Sequence, residues 1–326
     1  AEEIEWQKLP DGRIYEFSGR GASPSLSDPD TVKAMTDAFD AFSAHVYERY
    51  GDRLFRMHAR TSQYGELEYF CDAGGVLDYG EPAIAAFRTY LKSEHPTAEE
   101  LTQVSGRSFS SPEELDAIEG TELSELFYFD WQMFRQSECL KISRLFRDIQ
   151  HENAPGVPFA LQVGCIWDEA AVTRRGIVDP WLASQACDIL HTDDGPGFSH
   201  DFSMDYIDMG DGLELASEID GLWHPTIQAL INAGDTSLGP YQTQAQHMGM
   251  KGIKYLNTCN WTGAEIAQYS EALAEYVPNF YNAELREAAD PTVAILINTA
   301  DIMWQKTAAT ALYQAIFNRL STDGAR

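Results

Sequence analysis

The chain has 326 residues, 44% of them hydrophobic and 12% aromatic, enough for one large domain or one and a half around sizeable cores. That excludes a disulfide-stapled miniprotein, a collagen-like chain and a disordered one. With 23 Lys and Arg against 51 Asp and Glu the formal charge is −28, which repels phosphate backbones and anionic lipids, so neither nucleic acid nor membrane is expected as a partner.

Short β-rich runs alternate with longer stretches of helical period, the pattern of a parallel sheet with crossover helices. From Asp28-Pro29 onward, Val32, Met35, Phe39, Phe42 and Val46 recur at three- and four-residue steps and predict a helix with Pro29 in its first turn. A strand is expected at 53–58. Residues 72–125 then break the rhythm with short helices and polar loop, one helix carrying Ile84, Phe87 and Leu91. Long insertions after strand C-termini are where barrel enzymes build substrate pockets. Residues 126–149 predict the longest helix, with Ile142, Leu145, Phe146 and Ile149 on one stripe, ending before Ala154-Pro155-Gly156. Strands follow at 159–167, 188–192, 213–218 and 253–259, with helices starting near Pro180, Pro225, Gly239 and Gly263. After Ala288-Ala289-Asp290-Pro291 a fresh strand at 293–297 and a helix near Trp304 read as the beginning of a second α/β domain, dividing the chain into 1–288 and 289–326.

No apolar run approaches the ~18 residues of a membrane helix, and the polar start Ala1-Glu2-Glu3 is no signal peptide, although a removed signal leaves export open. Cys71, Cys139, Cys165, Cys187 and Cys259 are odd in number and widely spaced, so no disulfide framework and no zinc site are expected. No Gly-x-Gly-x-x-Gly follows a strand, and neither a P-loop nor a Gly-x-Ser-x-Gly elbow occurs. No cofactor is expected.

Sites in α/β proteins gather at the C-terminal ends of strands. Two carboxylates stand out there. Gly65 allows a tight turn just before Glu66, beyond the strand at 53–58. In the strand at 213–218, period 2 puts Glu214, Ala216 and Glu218 on one face, and Glu218 is nearer the strand end. Two carboxyl groups facing one sugar divide glycoside hydrolysis between a proton donor and a nucleophile or base. Glutamates near strand ends are also commonly solvated or paired with arginine, and both readings stay open from pattern alone. Trp167-Asp168-Glu169, His191-Thr192-Asp193-Asp194, Trp223-His224 and the run from Asn257 to Asn260-Trp261 end or follow other strands. Aromatic faces stack on pyranose rings, while Asp, Asn and His bond hydroxyls.

The stretch 63–94, the long helix up to Val157-Pro158 and the Glu218 strand together resemble glycoside hydrolase family 42, the β-galactosidases. Further points of likeness are Asp11-Gly12-Arg13 with Ser23-Pro24, Tyr64-Gly65, Ala86-Phe87-Arg88, and His247-Met248-Gly249-Met250-Lys251-Gly252 leading into 257–261. The resemblance implies a (β/α)8 TIM-barrel catalytic domain, an α/β trimerisation domain after it, a carbohydrate substrate and a homo-oligomer, a trimer. The family's acid/base glutamate sits in Asn-Glu-Tyr-Gly, whereas this chain reads Ser62-Gln63-Tyr64-Gly65. Glutamine cannot deliver a proton. Gly65-Glu66-Leu67-Glu68-Tyr69, however, is similar to the Gly-Glu-Leu-Arg-Tyr stretch of β-amylases, whose glutamate is the general acid.

The resemblance therefore implies Glu66 as acid/base and Glu218 as nucleophile of a retaining, exo-acting, β-galactosidase-like hydrolase. Sugar subsites would involve Arg60, Tyr69, Trp167, His191, Asp193, Trp223, Asn260 and Trp261. The alternatives are a β-amylase-like inverting exo-hydrolase, and a non-catalytic carbohydrate-binding barrel motivated by Gln63. Only Cys71 lies where some family members carry a metal-binding cysteine cluster, so no metal is expected. By the same resemblance the strands at 53, 159, 188, 213 and 253 are the fourth to eighth of the barrel. A barrel usually takes about 250 residues, and five strands do not close one. The first three strands are expected in a longer parent chain or a companion fragment.

Overall fold

Capping side chains and prolines set the helix starts. In the computed structural model, which describes residues 4–17, 21–59, 68–69, 76–163, 176, 180–192, 214–220, 255–259, 312 and 315–316, helix α1 (Pro29–Tyr50) begins where the Asp28 carboxylate accepts the Thr31 amide at 2.8 Å. It stops at Gly51, whose φ of +50° a side chain would strain. Helices α2 (Glu81–Glu94), α3 (Ala98–Ser105), α4 (Gly120–Leu126) and α5 (Tyr128–Asn153) follow, with a 3-10 turn at Pro112–Ala117. Thr97 and Glu100 form a reciprocal capping box at the start of α3.

Two compact units divide the chain, residues 1–161 with 169–178 and residues 162–168 with 179–326. In the first, residues 5–8 run antiparallel to both 23–25 and 14–15: Gln7 N–H donates to the Ser23 carbonyl and Tyr15 N–H to the Gln7 carbonyl. Strands β1 (Glu16–Phe17) and β2 (Gly21–Ala22) pair antiparallel in the same ribbon. The sequence carries no signal for this ribbon, because its pairs are too short to show a period.

The insertion at 72–125 carries a core of its own, in which Ile84, Phe87 and Leu91 of α2 meet Leu101, Leu115, Leu123, Phe127, Trp131 and Phe134. Phe87 stands edge-on to Trp131 at 4.8 Å. The helix expected at 126–149 is α5, which starts two residues later because Phe127 leaves helical geometry at φ −116°, ψ 51° and is buried in this core, parting it from α4. Further along α5, Phe146 packs against Phe39 of α1 at 4.8 Å. Each expected stripe loses one member: Phe42 and Leu145 are exposed at 53% and 38%. Ser43 is buried beside the first, whereas Ile142 and Phe146 of the second stripe are buried as expected.

The strand expected at 53–58 is a 3-10 turn at Gly51–Arg53 and one parallel bridge, Met57 to Phe159. Met57 N–H donates to the Pro158 carbonyl and Ala160 N–H to the Met57 carbonyl. The next bond toward the N-terminus would need an N–H on Pro158, which has none.

Strands β3 (Ala160–Val163), β4 (Ile189–Thr192), β5 (Glu214–Asp220) and β6 (Tyr255–Cys259) form one sheet in the order β3-β4-β5-β6. The β4–β5 and β5–β6 pairs are parallel. Helix α6 (Pro180–Ser184) starts at the expected proline. Strand order that follows chain order, with parallel pairing at β4–β5 and β5–β6, is the arc of a (β/α) barrel; a doubly wound sheet reverses its order at a switch point. The expected strand at 293–297 and the boundary at 288 lie outside the described residues.

Candidate active site

The register of the sheet determines which strand-end residues share a face. In β5, Ala216 is level with His191 of β4 and Tyr255 of β6, and Glu218 is level with Asn257. Two-residue alternation puts positions 191, 216, 218 and 257 on one face, and level residues on neighbouring strands are about 4.8 Å apart. All three of His191, Glu218 and Asn257 fall within two residues of the C-terminal end of their strands. His191 is buried. The sheet thus brings together two of the residues expected from sequence, His191 and Glu218, and adds Asn257 beside the glutamate.

In the other unit, Glu68 and Tyr69 are both buried, and Tyr69 lies against α5. The N-terminal half of α5 is buried nearly all round, yet it carries Gln132, Arg135, Gln136 and Glu138 among its aromatics. The Arg135 guanidinium lies 4.8 Å from the centre of the Tyr69 ring, and its Nη1 donates to Gln132 Oε1 at 3.0 Å. A desolvated cation over an aromatic face is worth up to about 2 kcal/mol. Gly176, at φ +87°, touches the same tyrosine: a Cβ there would stand 2.7 Å from Tyr69 Cδ2.

Burial raises the Tyr69 hydroxyl well above its usual range, helped by Cys139, Glu138 and Asp78 and opposed by Arg135. Burial likewise pushes up the Cys139 thiol, with Arg135 opposing and Glu68 and Glu138 adding to the shift. This thiol stays protonated and unreactive. The buried Asp78 carboxylate accepts the Lys8 and Gly80 amides at 2.9 and 2.8 Å, which ties the N-terminal ribbon to the start of α2.

At 1% exposure Tyr69 presents no open ring face to a ligand; what it offers is a fixed point beside Arg135. Glu66, Arg60, Trp167, Asp193, Trp223, Asn260 and Trp261 lie outside the described residues. Arg135 was missed at the sequence level. The available signal was Gln132, Arg135, Gln136 and Cys139, a polar set at helical spacing inside a run dominated by aromatics.

By sequence the chain matches no protein-family model and none of the curated proteins. By structure it is similar to the catalytic domain of the β-amylase from Paenibacillus polymyxa, with a TM-score of 0.61 at 15% identity over 86% of this chain and 75% of that one. It is also similar to the β-galactosidase from the psychrophilic Marinomonas ef1, with a TM-score of 0.53 at 16% identity over 99% of this chain and 48% of the other. The exo-carrageenase GH42 from Bacteroides ovatus gives 0.58 at 11% identity over 86% and 43%. The fold is that of glycoside hydrolases. The chain spans three quarters of the amylase domain and under half of the other two proteins. The barrel arc seen in the sheet agrees with this likeness.

Proposed function

We propose that the chain is a glycoside hydrolase of β-galactosidase type, retaining and exo-acting, with Glu66 as acid/base and Glu218 as nucleophile. The observation that carries the reading is the parallel register, which sets Glu218 level with Asn257 and on the face of buried His191, near the strand ends of a glycosidase-like fold. Burial of Glu68 favours Glu66 over its neighbour as proton donor, since a carboxyl group at 1% exposure cannot reach a leaving oxygen in an open site.

In the first step a Glu218 oxygen attacks the anomeric carbon, and the glycosidic C–O bond breaks with its electron pair on the leaving oxygen. Glu66 supplies the proton for that oxygen. In the second step Glu66, now a carboxylate, takes a proton from water, whose oxygen attacks the anomeric carbon and releases Glu218. Asn257 suits a hydrogen bond to a sugar hydroxyl; His191, buried on the same face, presents no open ring to one. Arg60, Trp167, Asp193, Trp223, Asn260 and Trp261 complete the proposed subsites, and assembly as a trimer belongs to the same reading.

Glu218→Ala is expected to abolish turnover of aryl β-galactosides while circular dichroism stays that of the parent chain. Substantial residual activity would exclude Glu218 as nucleophile. The second reading, a β-amylase-like inverting exo-hydrolase, draws on Gly65-Glu66-Leu67 and on the likeness to the amylase domain. NMR of the first-formed product separates the two: a β-anomer from a β-glycoside means retention.

A further inference from the structure

Of the groups the proposed reaction leaves unused, the buried Arg135 is the one tied most directly to it. Arg135 is fully buried, is joined to Gln132 one turn back in α5, and holds its guanidinium over the Tyr69 ring. Gly176 closes on the Cδ2–Cε2 edge of that ring, and an added Cβ would also come within 3.7 Å of Arg135 Cβ. Tyr69 is therefore gripped by a helix on one side and a positive-φ glycine on another. It sits three residues after Glu66, and three peptide units span at most about 11 Å. Whatever fixes Tyr69 fixes the point from which the acid-bearing segment leaves.

We propose that Arg135, acting through Tyr69, is a positioning residue for the general acid, controlling proton delivery to the leaving group and not sugar binding. The inference rests on the proposed acid role of Glu66. A general acid matters in proportion to the basicity of the group it protonates. Methoxide cannot leave without the proton, whereas dinitrophenolate can. A displacement of about 1 Å in such a group costs on the order of 100-fold.

The test measures kcat/KM of the full chain on methyl and 2,4-dinitrophenyl β-galactosides, with hydrogen exchange of the peptide spanning 60–75. Arg135→Met is expected to lose about 100-fold on the methyl galactoside and less than about threefold on the dinitrophenyl one. Its alkaline pH limb, set by the acid, is expected to move, and amides at 66–70 to exchange faster. Arg135→Lys keeps a cation over the ring and is expected to restore most of the loss. Gly176→Ala crowds the ring from its edge and is expected to give the same selective loss without removing the buried charge, so the result stands even if Arg135→Met does not fold. Equal losses on both substrates, or unchanged exchange at 66–70, would overturn the proposal. Glu66→Gln serves as the separate control. If it shows no leaving-group selectivity the acid assignment itself fails; if it is selective and the Arg135 and Gly176 variants are not, only the positioning role fails.

Discussion

A Cβ placed on Gly120 would stand 2.8 Å from Ile84 Cδ1 and 2.9 Å from Ile84 Cγ1, so α4 begins in direct contact with α2 and leaves no room for a methyl group. Ile84 is buried in the insertion core and can yield only by disturbing its neighbours. Gly120→Ala is expected to destabilise the protein by about 1–3 kcal/mol, the usual cost of overpacking. Urea unfolding measures it. Combining it with Ile84→Val is expected to recover part of the loss, a non-additivity that a distant pair does not show.

Asp78 gives the first unit a pH dependence. Burial raises its carboxyl above the ordinary aspartate value of 3.8, against the pull of hydrogen bonds from Lys8, Ser25 and Gly80. Because the folded value is the higher one, the Asp78 contribution to stability is fully present below the unfolded value and is lost as pH rises through the folded value. Asp78→Asn keeps the shape and acceptor without the titration. Its urea midpoint is expected to gain on that of the parent chain as pH rises from 4 toward 7, then to run parallel. A constant difference across that range would contradict the assignment.

Neighbouring positions on α5 should behave oppositely. Phe146 is buried against Phe39, whereas Leu145 faces water. Phe146→Ala is expected to cost about 3–5 kcal/mol and Leu145→Ala no more than about 0.5 kcal/mol. Chemical denaturation of the two variants checks both.

The proposed nucleophile can be trapped. A dinitrophenyl 2-deoxy-2-fluoro-β-galactoside slows the second step of a retaining enzyme more than the first, so it is expected to label the chain once, on the peptide containing Glu218. Mass spectrometry locates the adduct. Absence of any adduct, together with α-anomeric product from an ordinary β-galactoside, favours the inverting reading.

Period and punctuation carried much of the fold. Asp28-Pro29, Pro180 and the stripe of Ile84, Phe87 and Leu91 fall where helices start and bury, and the strands at 188–192, 213–218 and 253–259 overlap β4, β5 and β6 closely. The failures have local causes. Residues 53–58 look like a strand in isolation, and only their partner's Pro158 shows why the ladder stops at Met57. The start of the long helix is off by two residues, because Phe127 turns into a core that sequence periodicity does not encode. For the proposed site, strand-end reasoning picked out Glu218 and His191, positions that the register puts on one face, because alternation is a property of the strand itself. Arg135 escaped it because a buried arginine takes its meaning from Tyr69, some 66 positions earlier in the chain.

Helix α5 belongs to two cores at once. Its first turns contribute Phe127's neighbours Trp131 and Phe134 to the insertion, and its last turns carry Phe146 against α1 and end near the Met57 bridge. At 1.5 Å per residue its 26 residues make a rod about 39 Å long. No loop intervenes between the two cores, so one unbroken run of helical hydrogen bonds joins them, with Arg135 partway along it.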